Sequence, residues 1–144
     1  MIDNYGTDEE RAEARKKDRD GRWQDVPHKH LADVCGIGGM SFFDPIGWRY
    51  YLPAYMTWIL SGGETCDSIA SDSLFYWLII NRRNQDYYQP RYNALKPEEK
   101  EAVRAFLRFV SGGGLAVDWY MEDANTALAN YWEKLEKVTK PLPQ

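Results

Sequence analysis

The chain has 144 residues, 44% hydrophobic and 28% charged, with a formal net charge of -4, a size that suits one domain with one core and a charge that disfavours broad binding to nucleic acid or anionic lipid. The longest apolar run, Leu74 to Ile80, is far short of the roughly 20 residues that cross a bilayer, and the polar, acidic start lacks the basic-then-apolar order of a signal peptide, so a cytoplasmic location without membrane contact is expected. Cys35 and Cys66 imply no disulfide framework in a reducing compartment.

Residues 1–22 read as a polar arm. Asp8 to Arg22 hold six acids and six bases with alanine as the only apolar type, so the segment has no face to bury. Thr7 with Glu10 has the form of a capping box, and Glu13 precedes Lys17 at the favourable spacing of four, which predicts a solvated helix or arm; docking to a partner is the sharper alternative. The domain proper, 23–140, opens at Trp23. Leu31, Val34 and Cys35 suit one or two helical turns starting at Pro27 and ending at Gly36, Gly38 and Gly39.

Asp44 and Pro45 then supply an N-cap and a proline at the first helical position, and Trp48, Tyr51, Leu52, Tyr55, Met56 and Ile59 recur at helical spacing up to a stop at Gly62 and Gly63. Pro53 lies inside this helix, where it removes a backbone hydrogen bond and crowds the preceding turn, so a kink or a break is expected. Leu74 to Ile80 has no alternation and no hairpin partner, which favours helix over a lone strand that cannot satisfy its own backbone. Asn81 to Asn93 reads as a polar and aromatic connection. Pro97, Glu98 and Glu99 open a helix that buries Val103, Phe106, Leu107 and Val110 and stops at Gly112 to Gly114. A last helix, from about Asp118 to Val138, buries Ala124, Ala127, Leu128, Tyr131, Leu135 and Val138 before Pro141 and Pro143 in a tail, 141–144. The fold class is therefore all-α: a compact single-domain bundle of about five helices.

One compositional anomaly stands out. Six Trp, ten Tyr and five Phe make the chain 15% aromatic, and a buried Tyr hydroxyl or Trp indole N–H needs a polar partner, so the core has to carry internal hydrogen bonds.

W-Q-D-V-P at Trp23 to Pro27, S-F-F-D-P-I-G-W-R-Y-Y-L-P-A-Y at Ser41 to Tyr55, E-A-V-R-A-F-L-R-F at Glu101 to Phe109 and T-A-L-A-N-Y-W at Thr126 to Trp132 together resemble the bacterial domain of unknown function family 6714. Phe43 and Trp48 stand where that family usually has Leu and Phe. The resemblance covers most of Trp23 to Trp132 and leaves out the polar arm and the segment Asn81 to Asn93. It implies a compact helical fold and brings with it no catalytic residue.

His28, His30 and Cys35, with Cys66 or Asp33 as a fourth ligand, lack the C-x-x-C or H-x-x-x-H clip that makes two ligands converge from one turn, so no metal and no cofactor is expected. Cys35 in C-G-I-G-G invites a nucleophile reading with a histidine as base, but it falls at a helix C-terminus, where the dipole opposes a thiolate. G-I-G-G, S-G-G-E and S-G-G-G have no following Lys-Ser or Lys-Thr and act as helix stops rather than phosphate cradles. Scattered acids such as Asp44 and Asp67 have capping or solvation roles and define no acid and base couple. Arg49, one step off the buried stripe, reads as a structural anchor of the kinked helix.

The candidate binding segment is N-R-R-N-Q-D-Y-Y-Q-P-R-Y-N, residues 81–93, with Arg82, Arg83 and Arg91 interleaved with Tyr87, Tyr88 and Tyr92. Tyr and Arg dominate interface hot spots, and Asn and Gln add adaptable hydrogen bonds. The expected function is accordingly a non-enzymatic module of bacterial or phage origin that docks onto another protein, for instance as an immunity or inhibitor protein. Two alternatives stay open: a nucleotide- or RNA-binding module stacking bases on these tyrosines, and an enzyme in which Cys35 meets His28 or His30 in the fold.

Overall fold

The structure, a computed structural model, describes residues 7–9, 12, 21–31, 43–62 and 68–137. Among them the chain is all-α, without a β-strand. A 3-10 turn at Trp23–Asp25 precedes α1 (Pro45–Leu60), α2 (Ser68–Leu78), α3 (Gln85–Asn93), α4 (Pro97–Ser111) and α5 (Asp118–Asn130), and a second 3-10 segment, Trp132–Lys137, follows. Residues 8, 9 and 12 of the arm are helical and exposed; residues 1–6, 10–11 and 13–20 of the arm, with Asp33, Val34, Cys35, Cys66, Gly63 and Val138, lie outside the described residues. Contacts divide the chain into two compact units, residues 1–74 and 75–144.

In the first unit, α1 begins as local chemistry dictates. The Gly47 N–H donates to Asp44 Oδ1 at 2.7 Å, which satisfies one of the orphan donors of the first turn, and Pro45 sits at the start. All six residues of the predicted stripe are buried, and Ala54 and Trp58 join them, so α1 is enclosed around most of its circumference. That enclosure explains the fate of Pro53. The helix runs through it without a break, because only one backbone bond is forfeited while Tyr51 and Leu52 before it and Ala54 and Tyr55 after it anchor both halves.

Two of the hydrogen bonds expected of an aromatic core are present here. The Tyr55 hydroxyl donates to the Leu31 carbonyl at 2.8 Å, and His30 Nε2 lies 3.0 Å from the Tyr51 hydroxyl. Both fasten the helical turn at 28–31, which starts at Pro27, to α1. Phe43 stacks on Tyr51 with centroids 4.7 Å apart, and His28 lies 6.1 Å from the Trp58 ring.

In the second unit, α4 packs against α5, and both touch the closing 3-10 segment. The Lys96 N–H donates to Glu99 Oε2 at 2.8 Å across the first turn of α4, and Val103, Phe106, Leu107 and Val110 are buried as their spacing predicts. Phe75 of α2 stacks against Phe106 and Tyr120, tying α2 to this pair. The α4–α5 connection places Gly113 at φ +89° and Ala116 at φ +54°. Gly113 holds that conformation freely, whereas Ala116 carries the Cβ strain of the left-handed region. Ala116→Gly is therefore expected to stabilise the protein by up to about 1 kcal/mol, the relief of strain exceeding the entropy added to the unfolded chain; a lower urea midpoint for the variant would contradict this.

The structure corrects two expectations. Residues 81–93 are not a loop: a turn at 81–84 leads into α3. Asn81 Oδ1 accepts from the N–H groups of Arg83 and Asn84 at 2.8 and 3.3 Å, and Asn84 Oδ1 accepts from the Asn81 N–H at 2.8 Å, so paired side chains shape the turn that launches the helix. The last helix does not reach Val138. It ends at Asn130, and Tyr131 leaves helical geometry at φ -146° and ψ -56°. The physical reason for that interruption lies at the end of α2.

Candidate functional site

The end of α2 has no glycine, and the last carbonyls of a helix have no partner within it. Here the four successive carbonyls of residues 77–80 are each taken by a side chain from elsewhere in the second unit. The Tyr92 hydroxyl donates to Trp77 at 2.8 Å, Trp132 Nε1 to Leu78 at 2.9 Å, Asn84 Nδ2 to Ile79 at 3.1 Å and Asn130 Nδ2 to Ile80 at 2.9 Å. A continuous helix through Tyr131 would keep Asn130 and Trp132 from reaching both acceptors together. Tyr92 packs against Tyr131 and Trp132 with centroids 4.8 and 4.9 Å away, sealing the cap with aromatic surface.

This cap gathers three stretches of chain around a surface groove of about 460 Å³. Its walls carry the cations Arg82 and Lys134 and the carboxamides Asn81, Gln85, Gln89 and Asn130, with Ile80 and Tyr131 as its apolar and aromatic parts. No carboxylate is among the lining residues. Neither Arg82 nor Lys134 pairs with a carboxylate among the described residues. Glu133, beside Lys134, is held instead by two bonds of 2.7 Å from Arg108, and hydrogen bonding to that guanidinium keeps its carboxyl below the ordinary range. Outside the lining, Lys100 stands behind Tyr131, its Nζ 3.4 Å from the Tyr131 hydroxyl.

The six sequence-predicted residues part company. Arg82 and Arg83 are exposed, Tyr87 is half-buried, and Tyr88, Arg91 and Tyr92 are buried at 3%, 3% and 0% exposure. A contact surface built on Tyr88, Arg91 and Tyr92 is thereby ruled out: the tyrosines are core, and Arg91 donates to the Tyr87 carbonyl at 2.7 Å while its guanidinium lies 3.7 Å over the Tyr87 ring. Burial, reinforced by neighbouring Tyr88 and Tyr131, pushes the Tyr92 hydroxyl well above the usual tyrosine range.

Of the six, Arg82 reaches the groove. Sequence reasoning missed Gln85, Gln89, Asn130 and Lys134. The spacing of four between Gln85 and Gln89 is the one signal that places two of them on a common face, once the segment is known to be helical.

Among the described residues, no three His, Cys, Asp or Glu side chains converge on a metal position, and no helix is long and apolar enough to cross a membrane. No curated protein and no solved structure matches the chain. The family described as "Family of unknown function (DUF6714)" matches residues 1–136. That span is wider than the shared motifs of Trp23 to Trp132, and it takes in both the polar arm and α3. The chain belongs to this family.

Proposed function

We propose that the protein is a non-enzymatic binding module that docks onto another protein through the surface around Arg82 and the polar groove, an immunity or inhibitor protein being one form of that role. The observation that supports this reading is the makeup of the groove: cations and carboxamides suited to directional contact, with no serine, threonine, cysteine, histidine or carboxylate in its walls. The RNA-binding alternative has less support, since of its three tyrosines Tyr88 and Tyr92 are buried and the half-buried Tyr87 has the Arg91 guanidinium 3.7 Å over its ring.

The test is tagged purification of the full chain from its native host, with mass spectrometry and nucleic acid detection on the eluate. Arg82→Ala with Arg83→Ala is expected to lose a specific protein partner while keeping the wild-type helical circular dichroism. Tyr88 is left intact because its burial makes any change there a test of folding. Unchanged protein capture by a folded double variant, or an eluate that holds only nuclease-sensitive RNA, would sink the proposal.

A further inference from the structure

We infer that the groove receives an extended acidic peptide segment of the partner, an assignment that rests on the protein-binding reading and specifies its chemistry. Charge is the first argument. Arg82 and Lys134 face the groove without a carboxylate partner among the described residues, and Lys100 stands behind Tyr131. Such cations attract carboxylates.

Hydrogen-bonding capacity then favours a peptide over a phosphate backbone. Asn81 has its Oδ1 engaged by Arg83 and Asn84, which leaves its Nδ2 as a donor. Asn130 has its Nδ2 engaged by Ile80, which leaves its Oδ1 as an acceptor. Gln89 uses Nε2 on Asn93 and keeps its Oε1 as an acceptor, while Gln85 adds one of each. A peptide backbone offers N–H and C=O in alternation and can answer both kinds of group. Phosphodiester oxygens only accept, so a nucleic acid has to turn 2′-hydroxyls or base N–H groups toward Oδ1 of Asn130 and Oε1 of Gln89, whereas a peptide backbone brings donors along its whole length. The net charge of -4 also opposes a long polyanion while leaving room for a short acidic stretch, and a volume of about 460 Å³ is in the range of sites that hold a ligand a few residues long.

The experiment uses the full chain and three fluorescein-labelled probes: a heptapeptide of alternating Ser and Glu, the same peptide with Lys for Glu, and a ten-nucleotide oligouridylate. Fluorescence polarisation is expected to show the acidic peptide binding at least about tenfold more tightly than either comparator. Arg82→Glu with Lys134→Glu is expected to weaken it by a further factor of about ten or more, while Lys29→Glu, an exposed cation outside the groove, changes it less than about twofold. In 15N spectra the side-chain amides of Gln85, Gln89 and Asn81 should shift on titration. Preference for the oligonucleotide overturns the inference. So does an acidic peptide that leaves these amides unmoved, even where purification still captures a protein partner; docking then stands and only its chemistry fails.

Discussion

Replacing Trp132 by Ala is expected to lower the free energy of unfolding by at least about 4 kcal/mol. Trp132 is fully buried and packs against Tyr92 and Tyr131 with centroids 4.9 and 5.0 Å away, so truncation opens a large cavity. It also removes the donor to the Leu78 carbonyl and leaves that acceptor buried at the end of α2. Trp132→Phe separates the two effects. It keeps most of the ring and loses the N–H, so its cost should be about 1–3 kcal/mol, the penalty of an unsatisfied buried acceptor. Urea unfolding followed by far-ultraviolet circular dichroism measures both. A loss under about 1 kcal/mol for the Ala variant would show that the cap does not organise this unit. For a domain whose total stability is about 5–15 kcal/mol, the expected loss removes a large part of the reserve.

The elements that were legible in the sequence are those whose causes are local. Asp44 followed by Pro45 announces α1 because the capping bond spans three residues, and Pro97 with Glu99 announces α4 in the same way. The stripe from Val103 to Val110 was equally plain, since three or four residues always separate its members. What stayed hidden is held by distant partners. The helix α3 has only Tyr88, Arg91 and Tyr92 inside, in a segment of turn-like composition, and the Tyr92 hydroxyl finds its partner 15 residues away. The interruption at Tyr131 serves a bond between Trp132 and Leu78 across 54 residues, so the periodicity of Ala124 to Leu135 continued past a helix that had already ended.

The groove was illegible for the same reason. Gln, Asn, Arg and Lys occur on any surface, and only the capped carbonyls of residues 77–80 bring Gln85, Gln89, Asn130 and Lys134 to one place. Arg82, singled out by the contact-like composition of its segment, does line the groove. Tyr88 and Tyr92 were misread because the same composition, folded as a helix, turns them inward.

Tyr92 is expected to weaken the second unit at alkaline pH, and its replacement by Phe should expose this. The ring is 0% exposed, and its hydroxyl donates to the Trp77 carbonyl at 2.8 Å. Ionisation would strip that donor and set a negative oxygen against a carbonyl, away from water. In the unfolded chain the hydroxyl ionises near the ordinary tyrosine value of about 10; in the folded chain burial first, and Tyr88 and Tyr131 after it, hold the value well above that. Below the unfolded value both states keep the proton, and the contribution of Tyr92 is fully present. As pH rises above it the unfolded state releases the proton first, so stability falls steadily toward the higher folded value.

Tyr92→Phe leaves the Trp77 carbonyl without its donor and is expected to cost about 1–2 kcal/mol at neutral pH. It also deletes the titrating group, so its stability should decline less steeply than wild type above about pH 10, and the gap between the two should narrow. Urea midpoints at a series of pH values, with tyrosinate absorbance as a check on ionisation, decide the matter. Parallel curves would mean that Tyr92 titrates alike in both states, contrary to its burial.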